Sequence, residues 1–378
     1  MRKEEGGGLP RGRHLREASG IIAVAMAVVA LFAALAPAYA SAPEDGQGQA
    51  AADEPPGVQE CLACHSNPMA QTLPSGEQFS LQINRDAFGE SVHGEQLVCS
   101  DCHTGITSAS DHPQRAITSA RKYTLSQYEL CKRCHFSNYA RTLDSVHYNV
   151  LVRGDTAAPV CVDCHGSHYI QRPDQPRAAI SRTCSQCHNA IFETYAGSVH
   201  GRALIDGNNQ DVPVCTTCHG SHNVRDPLTS DFRLEMPQLC GDCHANRQLM
   251  GKYGISSNVL KTYLQDFHGA SISLRQENEG QIAPEAVCSD CHGVHDITRP
   301  TDANSPVLKA NLSVTCQKCH EGATPQFSNA WLGHYEPTLH KATLVYFVKW
   351  FYRIFIPFVL VGMTLHIILD VFRVITNR

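Results

Sequence analysis

The cysteines of this chain fall into nine Cys-x-x-Cys-His runs, which together use all eighteen cysteines of its 378 residues. This spacing lets two thiols bond covalently to one porphyrin and places the adjacent histidine under the iron, the pattern of c-type haem attachment. Paired cysteines also bind zinc or cycle between dithiol and disulfide. Nine complete runs with no spare cysteine favour covalent haem over both alternatives. The predicted attachment residues are Cys61, Cys64, Cys99, Cys102, Cys131, Cys134, Cys161, Cys164, Cys184, Cys187, Cys215, Cys218, Cys240, Cys243, Cys288, Cys291, Cys316 and Cys319.

Histidines supply the predicted iron ligands on both faces of each haem. The proximal ligands are the histidines that end the runs: His65, His103, His135, His165, His188, His219, His244, His292 and His320. Among the other histidines, His14 lies near the N-terminus and His366 lies in the apolar tail. Nine of the remaining ten are predicted to be sixth, distal ligands: His93, His112, His147, His168, His200, His222, His268, His295 and His340. Iron bound by two histidines has no open position, so these centres should transfer electrons at low potential.

One distal position has competing candidates. His334 and His340 compete for a single role, and His340 is chosen because Thr338-Leu339-His340 resembles the Ser-Val-His context of other predicted ligands. Methionine could ligate instead, although no repeated pattern supports it; the candidates are Met69, Met236 and Met250.

The runs form an internal repeat of paired sites. Each unit contains one run, a histidine in a Ser-Val-His or similar context, and a second run preceded by valine. A further histidine follows three of these second runs, at His168, His222 and His295. A histidine three residues beyond its own proximal ligand cannot reach over its own haem. These three should therefore ligate neighbouring haems and join adjacent units.

Both ends of the chain carry patterns unrelated to the repeat. A basic segment, an apolar run and Ala38-Tyr39-Ala40 predict a secretory signal peptide over residues 1–40. Residues 41–59 read as a disordered tether. Export predicts a location on the periplasmic side of the cytoplasmic membrane. The formal net charge of −5 disfavours binding to nucleic acid.

Residues 60–340 are predicted to form one nonahaem domain, because too little chain is available to build a conventional core around each porphyrin. We expect short helices and loops wrapped around stacked haems, with little regular secondary structure. Two stretches carry modest helical periodicity, residues 248–267 and 127–144. Residues 66–91 and 270–286 read as surface excursions.

Residues 341–378 are predicted to form an interfacial segment followed by a transmembrane helix. Residues 354–375 are long enough to cross the hydrocarbon layer, and aromatic and basic residues precede them. His366 and Asp370 lie four residues apart and therefore share one helix face, near Arg373. Ionisable groups inside a membrane helix are costly and usually mark a function or a partner contact. A plain anchor, with His366 bonded to a neighbouring helix, is the alternative.

On these doubled runs, the chain resembles the bacterial multihaem c-type cytochromes of the class III and octahaem-reductase-related group. The resemblance covers residues 60–340 and implies periplasmic electron transfer through haems that stack in parallel. The tail resembles the first helix of the b-type cytochrome subunits of quinone-linked oxidoreductases. That second resemblance implies a b-type or other quinone-linked membrane partner, and a possible shared haem b or quinone contact at the helix.

The leading hypothesis is a membrane-anchored carrier with nine haem c groups, passing electrons between a quinone-linked subunit and periplasmic or outer-surface acceptors. Other multihaem cytochromes are expected partners. One alternative is a multihaem reductase of a nitrogen or sulfur oxyanion, which would require a haem without a sixth ligand. Another is a structural unit of an extracellular cytochrome filament. The sequence therefore favours a carrier, or a subunit of a quinone oxidoreductase, over a stand-alone enzyme.

Overall fold

The computed structural model of the protein describes residues 57–94, 96–106, 108–110, 115–275, 285–331 and 333–377. The predicted signal peptide and residues 41–56 of the predicted tether lie outside this part of the chain. The first described helix begins at Val58, so the end of the predicted tether belongs to the first haem-attachment helix.

Short helices joined by loops make up most of the described chain, as the sequence predicts. The only described strands, Ala70–Thr72 and Gln78–Ser80, pair antiparallel with Gln71 opposite Phe79. The helices before residue 200 are Val58–His65, Arg85–Gly89, Cys99–Cys102, Ala120–Gln127, the 3₁₀ helix Tyr128–Arg133, Phe136–Thr142, Val146–Val152, Cys161–His165, Ala178–Ser185, Asn189–Gly197 and Val199–Ile205. The later helices are Cys215–His219, Ser230–His244, Arg247–Gly251, Val259–Leu264, Phe267–Arg275, Cys288–His292, Leu312–Gln317, Pro325–Ala330 and Thr343–Thr376.

The second run of each unit begins its own short helix. A valine precedes the first cysteine, and its backbone N–H donates to the side chain three residues ahead. The acceptor is Asp101 at 2.9 Å, Asp163 at 2.7 Å, Thr217 at 3.0 Å and Asp290 at 2.7 Å. These bonds satisfy a backbone donor that a helix N-terminus would otherwise leave unpaired. The residue between the two cysteines therefore helps to fix the attachment helix.

A glycine ends three of these helices directly after the proximal histidine. Gly166, Gly220 and Gly293 have φ values of 76°, 81° and 80°, in the left-handed region that glycine adopts without a side-chain clash. The first unit has Thr104 in this place, and its left-handed glycine is Gly105, one residue later. The first unit therefore departs from the repeated Cys-His-Gly pattern by one residue but keeps a left-handed glycine after its run.

The helices that carry the predicted distal histidines begin at a polar cap. Ser198 Oγ accepts a hydrogen bond from Gly201 N–H at 3.0 Å, and Asp266 Oδ1 accepts one from Gly269 N–H at 3.1 Å. Ser145 Oγ accepts from His147 N–H at 3.2 Å. Such caps replace the missing intrahelical partner of the first backbone donors. They also fix the start of the helix one or two residues before the histidine.

Buried apolar residues form only small clusters in the described chain. One contains Ala178, Tyr195, Leu204 and Val214, and a second contains Ile272 and Val287. Tyr195 fixes the first cluster to the following run, because its hydroxyl donates to the Pro213 carbonyl at 2.6 Å. The small clusters agree with the prediction that the protein alone does not build a conventional core.

Several local predictions change in detail. The stretch 248–267 divides into helices Arg247–Gly251 and Val259–Leu264, and the stretch 127–144 divides at the run ending in His135. The 15-residue helix Ser230–His244 is not anticipated, because Pro237 interrupts its pattern. The excursion 66–91 contains the strand pair and the helix Arg85–Gly89, and part of 270–286 belongs to the helix Phe267–Arg275.

The C-terminal helix Thr343–Thr376 is 34 residues long and runs without interruption through the predicted interfacial segment. By length and composition alone it could cross a membrane, with a mean hydropathy of 2.2 over its most apolar part and none of that part buried. Arg353 lies 5.3 Å from the Trp350 ring centroid, so a cation and an aromatic ring meet where the more apolar stretch begins.

Candidate haem-binding sites

The nine runs are numbered as sites 1 to 9 in chain order. At eight of them the proximal histidine faces a second histidine, with ring centroids 6.0–6.2 Å apart. The pairs are His103–His168, His135–His93, His165–His222, His188–His147, His219–His295, His244–His200, His292–His334 and His320–His268.

This separation fits one metal between two imidazoles. A ligating imidazole nitrogen lies about 2.0–2.1 Å from a transition metal, so two rings on opposite sides of one iron have centres roughly 6 Å apart. A direct stack of the two rings would bring them closer. The residues present therefore fit a haem iron held from both faces.

The second histidine of each pair comes from a neighbouring unit. At sites 3, 5, 7 and 9 it lies earlier in the chain: His93 lies in a turn, and His147, His200 and His268 each lie at the start of a helix. At sites 2, 4 and 6 it lies later, three residues beyond another proximal histidine. Each of His168, His222 and His295 thus faces a site two positions before its own.

Backbone hydrogen bonds hold the two kinds of distal histidine side by side. The N–H of Val92, next to His93, donates to the Ile170 carbonyl at 2.9 Å, two residues after His168. Val146 donates to Val224 at 2.8 Å, and Val199 to Ile297 at 2.9 Å, in the same relation to His222 and His295. The sequence shows both histidines but not this bond between their segments.

Consecutive sites are also in contact through their cysteines. The first cysteines of sites 1 and 2, 3 and 4, 5 and 6, and 7 and 8 lie close enough that one thiol of each pair, together with burial, raises the pKa of the other. The second cysteines of sites 2, 4, 6 and 8 interact electrostatically with a cysteine of the next site. Two kinds of neighbour contact therefore alternate along the chain and place the sites in one unbroken order.

Residues of sites 1 to 8 line a continuous cavity of about 3330 Å³. A pocket for one small ligand is roughly 300–1,000 Å³, so this space suits several large groups. His320 of site 9 lines a separate, smaller cavity of about 500 Å³, together with Phe327.

Burial favours the neutral form of several of the paired imidazoles by lowering their pKa. Burial, reinforced by the neighbouring His244, lowers the pKa of His200 to about 4. Burial also lowers the pKa of other members of the pairs, including His103, His147 and His292. Neutral imidazole is the form that binds a metal, so the cavity favours the ligating state at neutral pH.

The choice between His334 and His340 changes with the structure. His334 faces His292 at 6.1 Å, whereas His340 is exposed in the turn before the C-terminal helix. The placement therefore favours His334, and the prediction of His340 is revised. The similarity of Thr338-Leu339-His340 to the Ser-Val-His context misled the choice, because residues 338 and 341 hydrogen-bond to each other in a turn and start no helix.

Four further candidate residues remain. His112, the remaining predicted distal ligand, lies outside the described residues. His65 of site 1 forms a hydrogen bond through Nδ1 with the Leu81 carbonyl at 2.8 Å, which orients its ring. Met236 packs beside Ile272 and Val287, and Met250 is buried. His244 and His292 already face other histidines, so neither methionine is needed as their second ligand.

The C-terminal helix leaves His366 and Asp370 exposed. Gly362 lies one turn before His366 and has open space around its α-carbon. The described part of the chain places no other segment on this face of the helix.

Comparison with known proteins adds one finding. No curated protein matches the chain, and no solved structure matches it. The model of the family described as Cytochrome c3 matches residues 153–245, which contain sites 4 to 7. Together with the short helices, the loops and the long apolar helix, this match shows that the chain carries a segment similar to cytochrome c3, a family of multihaem cytochromes with covalently bound haem c.

Proposed function

We propose that this chain is a nonahaem c-type cytochrome, exported and anchored on the periplasmic side of the cytoplasmic membrane. It carries electrons between a quinone-linked membrane subunit and acceptors in the periplasm or at the outer surface. The observation that carries the proposal is the set of eight histidine pairs at 6.0–6.2 Å, on runs that adjoin one another in chain order.

Each haem would be held by the two cysteines and the histidine of its run, and by the histidine opposite. His334 takes the distal position at site 8. At site 1, His65 would be the proximal ligand and His112 the distal ligand. A c-type haem accepts and releases one electron without a change of ligands.

The residues around each site favour the transfer of one electron over the reaction of a substrate at the iron. At the eight sites with described pairs, the two imidazoles would hold the iron from both faces and leave little room for a substrate. Buried neighbours such as Val160, Val214 and Val287 limit the access of water. Neighbouring runs lie close together in chain order and line one continuous cavity from site 1 to site 8, so an electron at any site would have a neighbour on either side, except at the two ends.

The C-terminal helix connects this row to the membrane. Residues 354–375 span about 33 Å at 1.5 Å per residue, enough for the hydrocarbon layer. His366 then lies near mid-depth, about 18 Å along the axis from Ile354. An imidazole at this depth, with a carboxylate one turn further along, favours a partner that uses them, as a ligand of haem b or as a contact of a quinone.

The haem count tests the architecture directly. We expect the denatured protein to have the mass of a chain beginning near Ser41 plus nine haems. Magnetic circular dichroism should show low-spin iron with two histidine ligands at all, or nearly all, of them. A count of seven or fewer would contradict the architecture, and a high-spin fraction above about one in nine would favour a reductase.

Replacement of His366 tests the membrane partner. In vesicles that contain the partner, His366→Leu should slow quinol-driven reduction of the haems by at least tenfold while the haem count stays at nine. His340→Leu is the control, because this histidine is exposed and lies outside the helix. Wild-type reduction and partner binding in the His366 variant would leave the helix as an anchor alone.

A further inference from the structure

The distal histidines differ in how firmly their segments are held. His147, His200 and His268 lie in helices with polar caps. His168, His222 and His295 each lie three residues beyond a cysteine-linked proximal histidine. The bonds from Val92, Val146 and Val199 to the segments that follow these three restrain them further.

His334 has none of these restraints. It lies between the helices Pro325–Ala330 and Thr343–Thr376, outside any helix or strand. Among the described residues, no backbone group of 333–337 hydrogen-bonds to another segment. Gly333, directly before it, has a φ of 70° and open space around its α-carbon.

The contacts that do hold this segment are weak. Glu336 forms a salt bridge with Lys261 at 2.6 Å, but the two side chains are 39% and 59% exposed, so water screens the pair. The Trp331 ring meets His334 edge-on at 5.8 Å. His334 Nδ1 is buried without a hydrogen-bond partner among the described atoms, so no acceptor orients the ring. His222 Nδ1 shares this feature, but the turn at Gly220 and the bond from Val146 hold its segment.

We propose that His334 is a displaceable ligand, and that site 8 is a binding site for small haem ligands such as carbon monoxide. The proposal rests on the haem loading set out above. Movement of residues 333–337 withdraws the imidazole. The bond from its nitrogen to iron breaks, and a bond from the incoming ligand forms without oxidation or reduction. The other sites with described pairs stay closed, because their distal histidines are fixed by helices, turns or backbone bonds.

Carbon monoxide added to the dithionite-reduced full-length protein is the probe, and the change in the Soret band measures binding. The haem count and the low-spin fraction before addition test the proposed loading on their own. In a protein that passes both, we expect one weak adduct per nine haems. No adduct at saturating gas, in the wild type and in Gly333→Ala alike, would overturn the proposal.

Gly333→Ala should strengthen this binding, because alanine is strained at a φ of 70° and the strain loosens the segment without removing a contact. The affinity for carbon monoxide should rise about 5- to 30-fold. Gly154→Ala is the matched control, since Gly154 also has a left-handed φ and open space but precedes no distal histidine. Glu336→Gln should give a smaller gain, about two- to fivefold. Equal gains in the two glycine variants would contradict a role of the His334 segment.

His334→Ala identifies the haem. This variant should bind carbon monoxide tightly at one haem, with no second adduct, because the wild-type site and the site opened by the substitution are the same. His200→Ala should instead show two adducts, the weak wild-type one and a tight one at site 7. Two adducts in the His334 variant would place the wild-type site at another haem and overturn the proposal.

Discussion

Single glycines decide how closely three of the paired histidines approach the preceding segment. Gly94, Gly201 and Gly269 directly follow His93, His200 and His268. A β-carbon at any of the three would come within 1.9–2.1 Å of a backbone oxygen of the preceding helix or turn. Real side chains do not reach such distances, so only glycine lets the two segments pass.

Gly201→Ala should therefore push the helix Val199–Ile205 away from the Tyr195 carbonyl and displace His200. We expect high-spin iron at one haem and a loss of stability of about 1–3 kcal/mol, measured by magnetic circular dichroism and urea unfolding. Gly197→Ala is the control, because its α-carbon faces open space. A fully low-spin Gly201 variant would contradict the close approach.

The chemistry of single residues was largely predictable from sequence, because covalent attachment requires a local pattern that repeats nine times. Distal ligands were less predictable, since each lies far along the chain from its partner. His334 shows the limit: no local motif marks it, and only the placement of its segment beside His292 distinguishes it from His340.

Among the elements, the short attachment helices depend on one side chain each. Asp290 accepts the Val287 N–H at the helix start and also pairs with the Arg233 guanidinium at 2.8 Å. Arg121 and Asp163 repeat this pairing at 2.9 Å. At site 6, Thr217 keeps the cap but has no carboxylate, so Arg177 bonds to backbone carbonyls instead.

Asp290→Ala should therefore lower the free energy of unfolding more than Thr217→Ala does. Loss of a cap costs about 0.5–2 kcal/mol, and Asp290 also leaves a half-buried arginine without its carboxylate. We expect a loss of about 2–3 kcal/mol for Asp290→Ala and about 1 kcal/mol for Thr217→Ala, from unfolding midpoints. In the background of Arg233→Met, the two substitutions should lower the free energy of unfolding by similar amounts. A persistent difference would contradict the double role of Asp290 as helix cap and as partner of Arg233.

Helix positions were predictable where a cap or a glycine marks a boundary, as at Val160 and Gly166. They were not predictable where the boundary arises from packing. Residues 230–244 form one helix despite Pro237, with Phe232, Pro237 and Gly241 buried. Burial of one face outweighs the missing backbone donor there, and no local pattern in the sequence reveals it.

For the whole molecule, the exchange of distal histidines joins each unit to the next. Site 6 takes His295 from the unit that contains site 8, and site 7 takes His200 from the unit that contains site 6. No single unit can therefore complete its own sites. The number of units can be predicted from the sequence, but this exchange of histidines cannot, because it depends on how the units pack in the folded chain.

A chain that ends at residue 286 tests the exchange. It keeps seven runs, and we expect seven covalent haems, with site 6 high spin because His295 is absent. Site 7 should stay low spin, because His200 remains. His295→Ala in the full-length protein should reproduce the high-spin signal with nine haems. Seven low-spin haems in the shortened chain would show that site 6 draws its ligand from elsewhere.

The same exchange bears on how the protein matures. If the chain is exported from its N-terminus, as proposed, His93, His147 and His200 emerge before the runs that they face, so sites 3, 5 and 7 could close as soon as their haems are attached. Sites 2, 4, 6 and 8 wait for histidines that emerge tens of residues later. During that interval each carries an open iron, exposed to peroxide and to diatomic gases. Under the proposed function, biogenesis would therefore include a vulnerable period at alternate haems, which would end only when the following unit has crossed the membrane.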